Sequence, residues 1–92
     1  MDDPPTLQQL REEIDRIDDR MLDLLAERVA VALRIGEVKR AGGLPVYDPE
    51  RERGIFARLC QRARAPLTPD VVRRVFERVV DETRWAEQRA KR

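Results

Sequence analysis

The sequence predicts an all-α fold of three helices, and three observations carry that prediction. Apolar residues recur at alternating spacings of three and four along most of the first half of the chain. Helix-start signals stand at Thr6 with Gln9, at Asp48-Pro49 and at Thr68-Pro69-Asp70. No segment shows the alternation of a half-buried strand, and the short GGLPVY link is the one extended piece.

The first helix begins after Thr6, whose side chain forms a capping box with Gln9, while Pro4-Pro5 cannot extend it backwards. Leu7, Leu10, Ile14, Ile17, Met21, Leu24, Val31, Ile35 and Val38 then form one stripe that stops at Gly42-Gly43. This places helix 1 over about 7–41, roughly 50 Å at 1.5 Å per residue. Helix 2 spans about 49–63, with Asp48 as N-cap, Pro49 in the first turn, and Ile55, Phe56, Leu59 and Ala63 on one face. Helix 3 spans about 69–89, with Val72, Val75, Phe76, Val79, Thr83 and Ala86 turned inward. Helices 2 and 3 together match helix 1 in length and can fold back along it. Part of the long stripe stays bare, and a second copy of helix 1 would cover it. We expect a single domain over 1–92, assembled as a helical homodimer.

Composition narrows the function. The chain has 92 residues and a net charge of +1, which gives no broad positive field to gather nucleic acid or anionic lipid. The arginines of helix 3 alternate with acids and lack interleaved aromatics, which also argues against nucleic acid. With one cysteine, Cys60, and no histidine, Ser-His and Cys-His nucleophile pairs are excluded and a zinc site is disfavoured. The opening MDDPPT is unlike a signal or transit peptide and no apolar stretch approaches membrane-spanning length, so we expect a cytoplasmic protein.

Several charges do not behave like surface charges. Arg28 interrupts the apolar stripe and has Leu24, Leu25, Val31 and Ala32 at helical neighbour spacings, while Lys39 has Ile35, Gly36, Gly42 and Gly43. Eleven residues apart, the two lie within roughly 20° of one side and about 16 Å along the axis, a spacing from which long side chains can bracket a small anion. Either a carboxylate from another helix meets each cation or an anionic ligand does. Arg11 also flanks the stripe, with Asp15 as a possible partner, about 25 Å from Arg28. One small ligand can reach both only if helix 1 pairs antiparallel with its twin. Arg51 stands in the first turn of helix 2, where the helix dipole disfavours a cation. Thr83 and Glu87 share one side of helix 3, as a helix–helix hydrogen bond or as a polar pocket floor. Cations, carboxylates and a hydroxyl without an evident nucleophile suit a small polyanion. They fit a unimolecular rearrangement or plain ligand binding equally well.

The segments LREEIDRIDDRMLDLLAERVAVALRIGEVKR, PVYDPERERGIFARL and VVRRVFERVVDETRWAEQ, in that order, resemble the all-helical chorismate mutases over nearly the whole chain. The resemblance implies an intertwined homodimer of three-helix chains that converts chorismate to prephenate without a cofactor, on the route to phenylalanine and tyrosine. Carried onto this sequence, it makes Arg28, and Arg11 from the partner chain, ligands of the two substrate carboxylates, with Arg51 in support. Lys39 would donate to the ether oxygen, Glu52 and the main chain at Asp48 would hold the ring hydroxyl, and Thr83 would assist a carboxylate. Ile35 and Val80 would be apolar walls. Where many relatives place a glutamine as second donor to the ether oxygen, this chain has Glu87, which can donate only when protonated. The same scaffold also serves isochorismate pyruvate-lyases and aminodeoxychorismate mutases. A non-catalytic regulatory dimer, and a fusion or complex with another aromatic-pathway enzyme, are further alternatives that the resemblance leaves open.

Overall fold

A computed structural model describes residues 3–90, so the first two residues and the last two of the AEQRAKR tail lie outside the described residues. The described residues form α1 (Leu7–Ala41), α2 (Pro49–Gln61) and α3 (Pro69–Ala90), with no strand among them.

Local signals account for the helix ends. Thr6 Oγ1 accepts from the Gln9 amide at 3.1 Å and Gln9 Oε1 accepts from the Thr6 amide at 2.9 Å, closing the capping box. At the other end of α1, Leu44 N–H reaches the Lys39 carbonyl at 2.8 Å and Gly43 N–H the Arg40 carbonyl at 3.2 Å. This reversal puts Gly43 at a φ of 71°, where a side chain would be strained. Asp48 Oδ1 caps α2 by accepting from the Arg51 amide at 3.0 Å. Thr68 Oγ1 accepts from Val71 N–H at 3.3 Å at the start of α3. Helix 2 ends at Gln61 rather than at 63. The amides of Arg62 and Ala63 bond back three residues, to Leu59 and Cys60, which tightens the last turn as the chain swings towards α3.

Helix α3 packs against both other helices, whereas α1 and α2 do not pack on each other. Ile55, Val72 and Val80 are the buried apolar side chains among the described residues. Val75, expected to face inward, is 49% exposed. The buried side of α3 runs through Val72, Val80 and Thr83, and Val75 lies about 60° round from Val72.

Residues 3–27 are all exposed, and the stripe on α1 stands in water: Leu10 is 44% exposed, Ile14 56% and Met21 50%. The radius of gyration is 17.4 Å and the longest extent 63 Å. A compact chain of this length would have a radius of about 12 Å.

Candidate active site

Because α1 and α2 are held apart by α3, they leave between them a cavity of about 820 Å³. Its wall on α1 includes Arg28, Ile35 and Lys39; the α1–α2 link supplies Val46, Tyr47 and Asp48. Helix α2 adds Arg51, Glu52 and Ile55, and α3 adds Val80, Thr83, Arg84 and Glu87.

Arg28 Nη1 donates to Thr83 Oγ1 at 2.8 Å, and the Thr83 hydroxyl donates its own proton to the Val79 carbonyl at 2.7 Å. The hydroxyl is 55 residues from Arg28 and buried at 7% exposure, so both of its bonds are fixed by the packing of α3 on α1. Burial first, and the Arg51 guanidinium second, lower the Arg28 pKa, with Glu87 opposing. Arg28 stays charged, since arginine has no accessible neutral form. It is thus a partly desolvated cation facing a hydroxyl, a poor match that an anionic ligand would improve.

Lys39 sits in the last turn of α1, where the helix dipole favours a cation. Its Nζ donates to the Val46 carbonyl at 3.3 Å and lies 3.8 Å from Asp48 Oδ2. The Asp48 carboxylate therefore serves two elements, capping α2 with one oxygen and facing Lys39 with the other. Glu52 Oε1 accepts from Arg84 Nη2 at 2.5 Å, joining α2 to α3 across the wall. Burial, as the largest cause, pushes the Glu87 carboxyl above the usual carboxylate range. Lys39, Arg40 and Arg28 oppose this and Glu52 adds to it. Glu87 is half-buried and the neighbouring Gln88 exposed, although both reach the cavity.

Of the residues singled out from the sequence, Arg28, Lys39, Asp48, Arg51, Glu52, Thr83 and Glu87 line this one cavity. Arg11 does not; it stands on the exposed half of α1, roughly 25 Å along the helix from Arg28. Ile35 and Val80 both lie in the wall. Sequence reasoning missed Arg84 and Tyr47. Asp81, three residues before Arg84 and 3.7 Å from its Nη1, gives Arg84 the look of an ordinary surface pair. Among the described residues, no group of three or more Asp, Glu or Cys is placed to hold a metal ion. The wall carries four cations, Arg28, Lys39, Arg51 and Arg84, against four carboxylates, Glu27, Asp48, Glu52 and Glu87.

The family model described as chorismate mutase type II matches residues 10–88. The chain belongs to the chorismate mutase type II family. It is 55% identical over 53 residues to the bifunctional chorismate mutase/prephenate dehydratase of Aquifex aeolicus, covering 58% of this chain and 15% of that one. The first curated relatives it matches are all much longer, and the chain spans 15% to 22% of their length. Among solved structures, this chorismate mutase type II chain is similar to chorismate mutase (form II) of Thermus thermophilus. The TM-score is 0.87 at 34% identity, over 90% of this chain and 94% of that one. It is also similar to the chorismate mutase of Helicobacter pylori in complex with prephenate, with a TM-score of 0.84 at 34% identity over 91% of each.

Proposed function

We propose that the chain is a chorismate mutase, an isomerase that converts chorismate to prephenate by a cofactor-free Claisen rearrangement in aromatic amino acid biosynthesis. Most weight rests on one observation: in a chain of this family, Arg28, Lys39, Thr83 and Glu87 converge on a single cavity. The reaction breaks the ether C–O bond and forms a C–C bond within one molecule, so no group is transferred and no nucleophile is needed. Catalysis then consists of holding the reactive conformer and stabilising charge on the ether oxygen.

In this reading Arg28 binds one substrate carboxylate, with Thr83 and Arg51 beside it, and Lys39 donates to the ether oxygen. Protonated Glu87 is the second donor there. Glu52 and the Asp48 main chain hold the ring hydroxyl. Charge balance supports a contribution from outside the chain: four cations and four carboxylates leave the wall with no net charge to offset a dicarboxylate. Arg11 from a second copy and a proton on Glu87 would supply two positive charges. The exposed stripe on α1 is where that second copy would pair, antiparallel, in an intertwined homodimer.

The single cysteine and the absence of any described helix long and apolar enough to cross a membrane are compatible with the cytoplasm, where we place the protein. The bifunctional relative supports a fusion or complex with another aromatic-pathway enzyme. The deciding experiment is direct. Purified chain should abolish the absorbance of chorismate and yield prephenate; inertness towards chorismate, with turnover of isochorismate or aminodeoxychorismate instead, overturns the assignment.

A further inference from the structure

Arg84 has no role in the proposed chemistry, yet it is among the most tightly held side chains in the cavity wall. Its Nη2 donates to Glu52 Oε1 at 2.5 Å and its Nη1 lies 3.7 Å from Asp81 Oδ1. Its guanidinium carbon stands 5.0 Å from the centre of the Tyr47 ring, within cation–π range. Its Nε atom is shielded from solvent without a hydrogen-bond partner, although the side chain as a whole stays about a third exposed. Arg84 and Glu52 are 32 residues apart, and their side chains are 32% and 22% exposed. The pair joins α3 to α2, and through Tyr47 to the link that carries Asp48.

We infer that Arg84 is a specificity-determining positioning residue: by neutralising the Glu52 carboxylate, it makes the cavity select a ring bearing a neutral hydroxyl over one bearing an ammonium at the same carbon. The inference rests on the proposed placement of the substrate ring group against Glu52. A carboxylate has about four lone-pair sites, so Glu52 can hold Arg84 and still accept from a ligand hydroxyl. An aliphatic amine is largely protonated at pH 7 and would gain most from an unneutralised carboxylate. Beside Arg84 it meets a salt bridge whose positive half repels it. The hydroxyl carries no charge, and it loses nothing to the guanidinium.

The test is the ratio of kcat/KM for aminodeoxychorismate to that for chorismate, measured in the wild-type chain, Arg84→Gln, Arg84→Lys and Glu52→Gln. Arg84→Gln is expected to raise the ratio on the order of 10-fold, the size of one removed like charge in a partly exposed site. Arg84→Lys, which keeps the cation, should hold the ratio within about 3-fold of wild type. Glu52→Gln leaves the cation without its counter-charge and should lower the ratio. A purely structural brace would depress both substrates alike, so an unchanged ratio in Arg84→Gln overturns the inference. If that variant fails to fold, an unchanged ratio in Glu52→Gln overturns it instead. A wild-type chain inert towards chorismate overturns the proposed function and this inference with it. A wild-type chain that turns over chorismate, with no ratio change among the variants, overturns this inference alone.

Discussion

At Lys39 both partners of the ammonium are long for a charge-assisted hydrogen bond, the Val46 carbonyl at 3.3 Å and Asp48 Oδ2 at 3.8 Å. A donor so weakly engaged can turn to an oxygen on which charge develops. In the proposed role that contact strengthens only in the transition state, so Lys39→Ala should lower kcat by about 100-fold or more and change KM far less. Steady-state kinetics check this; a rise in KM alone would show that Lys39 only binds. Glu87 makes the second prediction. Burial raises its pKa against the opposing charges of Lys39, Arg40 and Arg28, with Glu52 adding to the rise. In the proposed role the protonated form is the donor, so kcat/KM should be full below that raised pKa and decline as pH climbs through it. Glu87→Gln donates at every pH and should flatten the profile. Superimposable profiles for the two proteins would exclude the role.

Asp48 belongs to two elements at once, as cap of α2 and as neighbour of Lys39 on α1. The two jobs separate on substitution. Asparagine is as good an N-cap as aspartate, so Asp48→Asn should leave the melting temperature nearly unchanged, whereas Asp48→Ala should cost about 1 kcal/mol. Thermal or denaturant unfolding of both variants reads the difference. Equal losses would mean that the contact with Lys39, not the cap, stabilises this junction. The same junction shows what was legible beforehand. The Asp48-Pro49 start of α2, the capping box of α1 and the Gly42-Gly43 stop are governed by bonds between residues at most five apart, and the helix bounds follow from them. The end of α2 was the exception, because its last turn tightens to suit the path to α3.

The molecule as a whole has too little core to be self-sufficient. Three apolar side chains are buried among the described residues, while the stripe on the first half of α1 is open to water. A chain of 10.8 kDa should therefore sediment at about twice its mass. Replacing Ile14 and Ile17 with lysine should yield an inactive monomer or an unfolded chain. The proposed sharing of the site between two copies can be tested without disturbing assembly. Arg11→Ala and Arg28→Ala should each be nearly inactive alone, yet mixed after joint refolding they should recover about a quarter of wild-type activity. Half the dimers are then mixed, and each has one site with both arginines intact. No recovery would mean that Arg11 serves its own chain or none.

Sequence by itself determined the three helices, the bare stripe and the polar residues set in it, because periodicity and capping act over a few residues of backbone. It also singled out Arg28 and Lys39, which lack partners on their own helix, Arg51 in an unfavourable first turn and the Thr83–Glu87 pair, whereas Asp48, Glu52, Ile35 and Val80 entered the site only through the family resemblance. Which groups those side chains meet was decided only by tertiary structure. Arg28 to Thr83 spans 55 residues and Arg84 to Glu52 spans 32, and no local rule selects a partner at such separations. Packing α3 against both other helices sets those distances, and it also holds α1 and α2 far enough apart to leave a cavity.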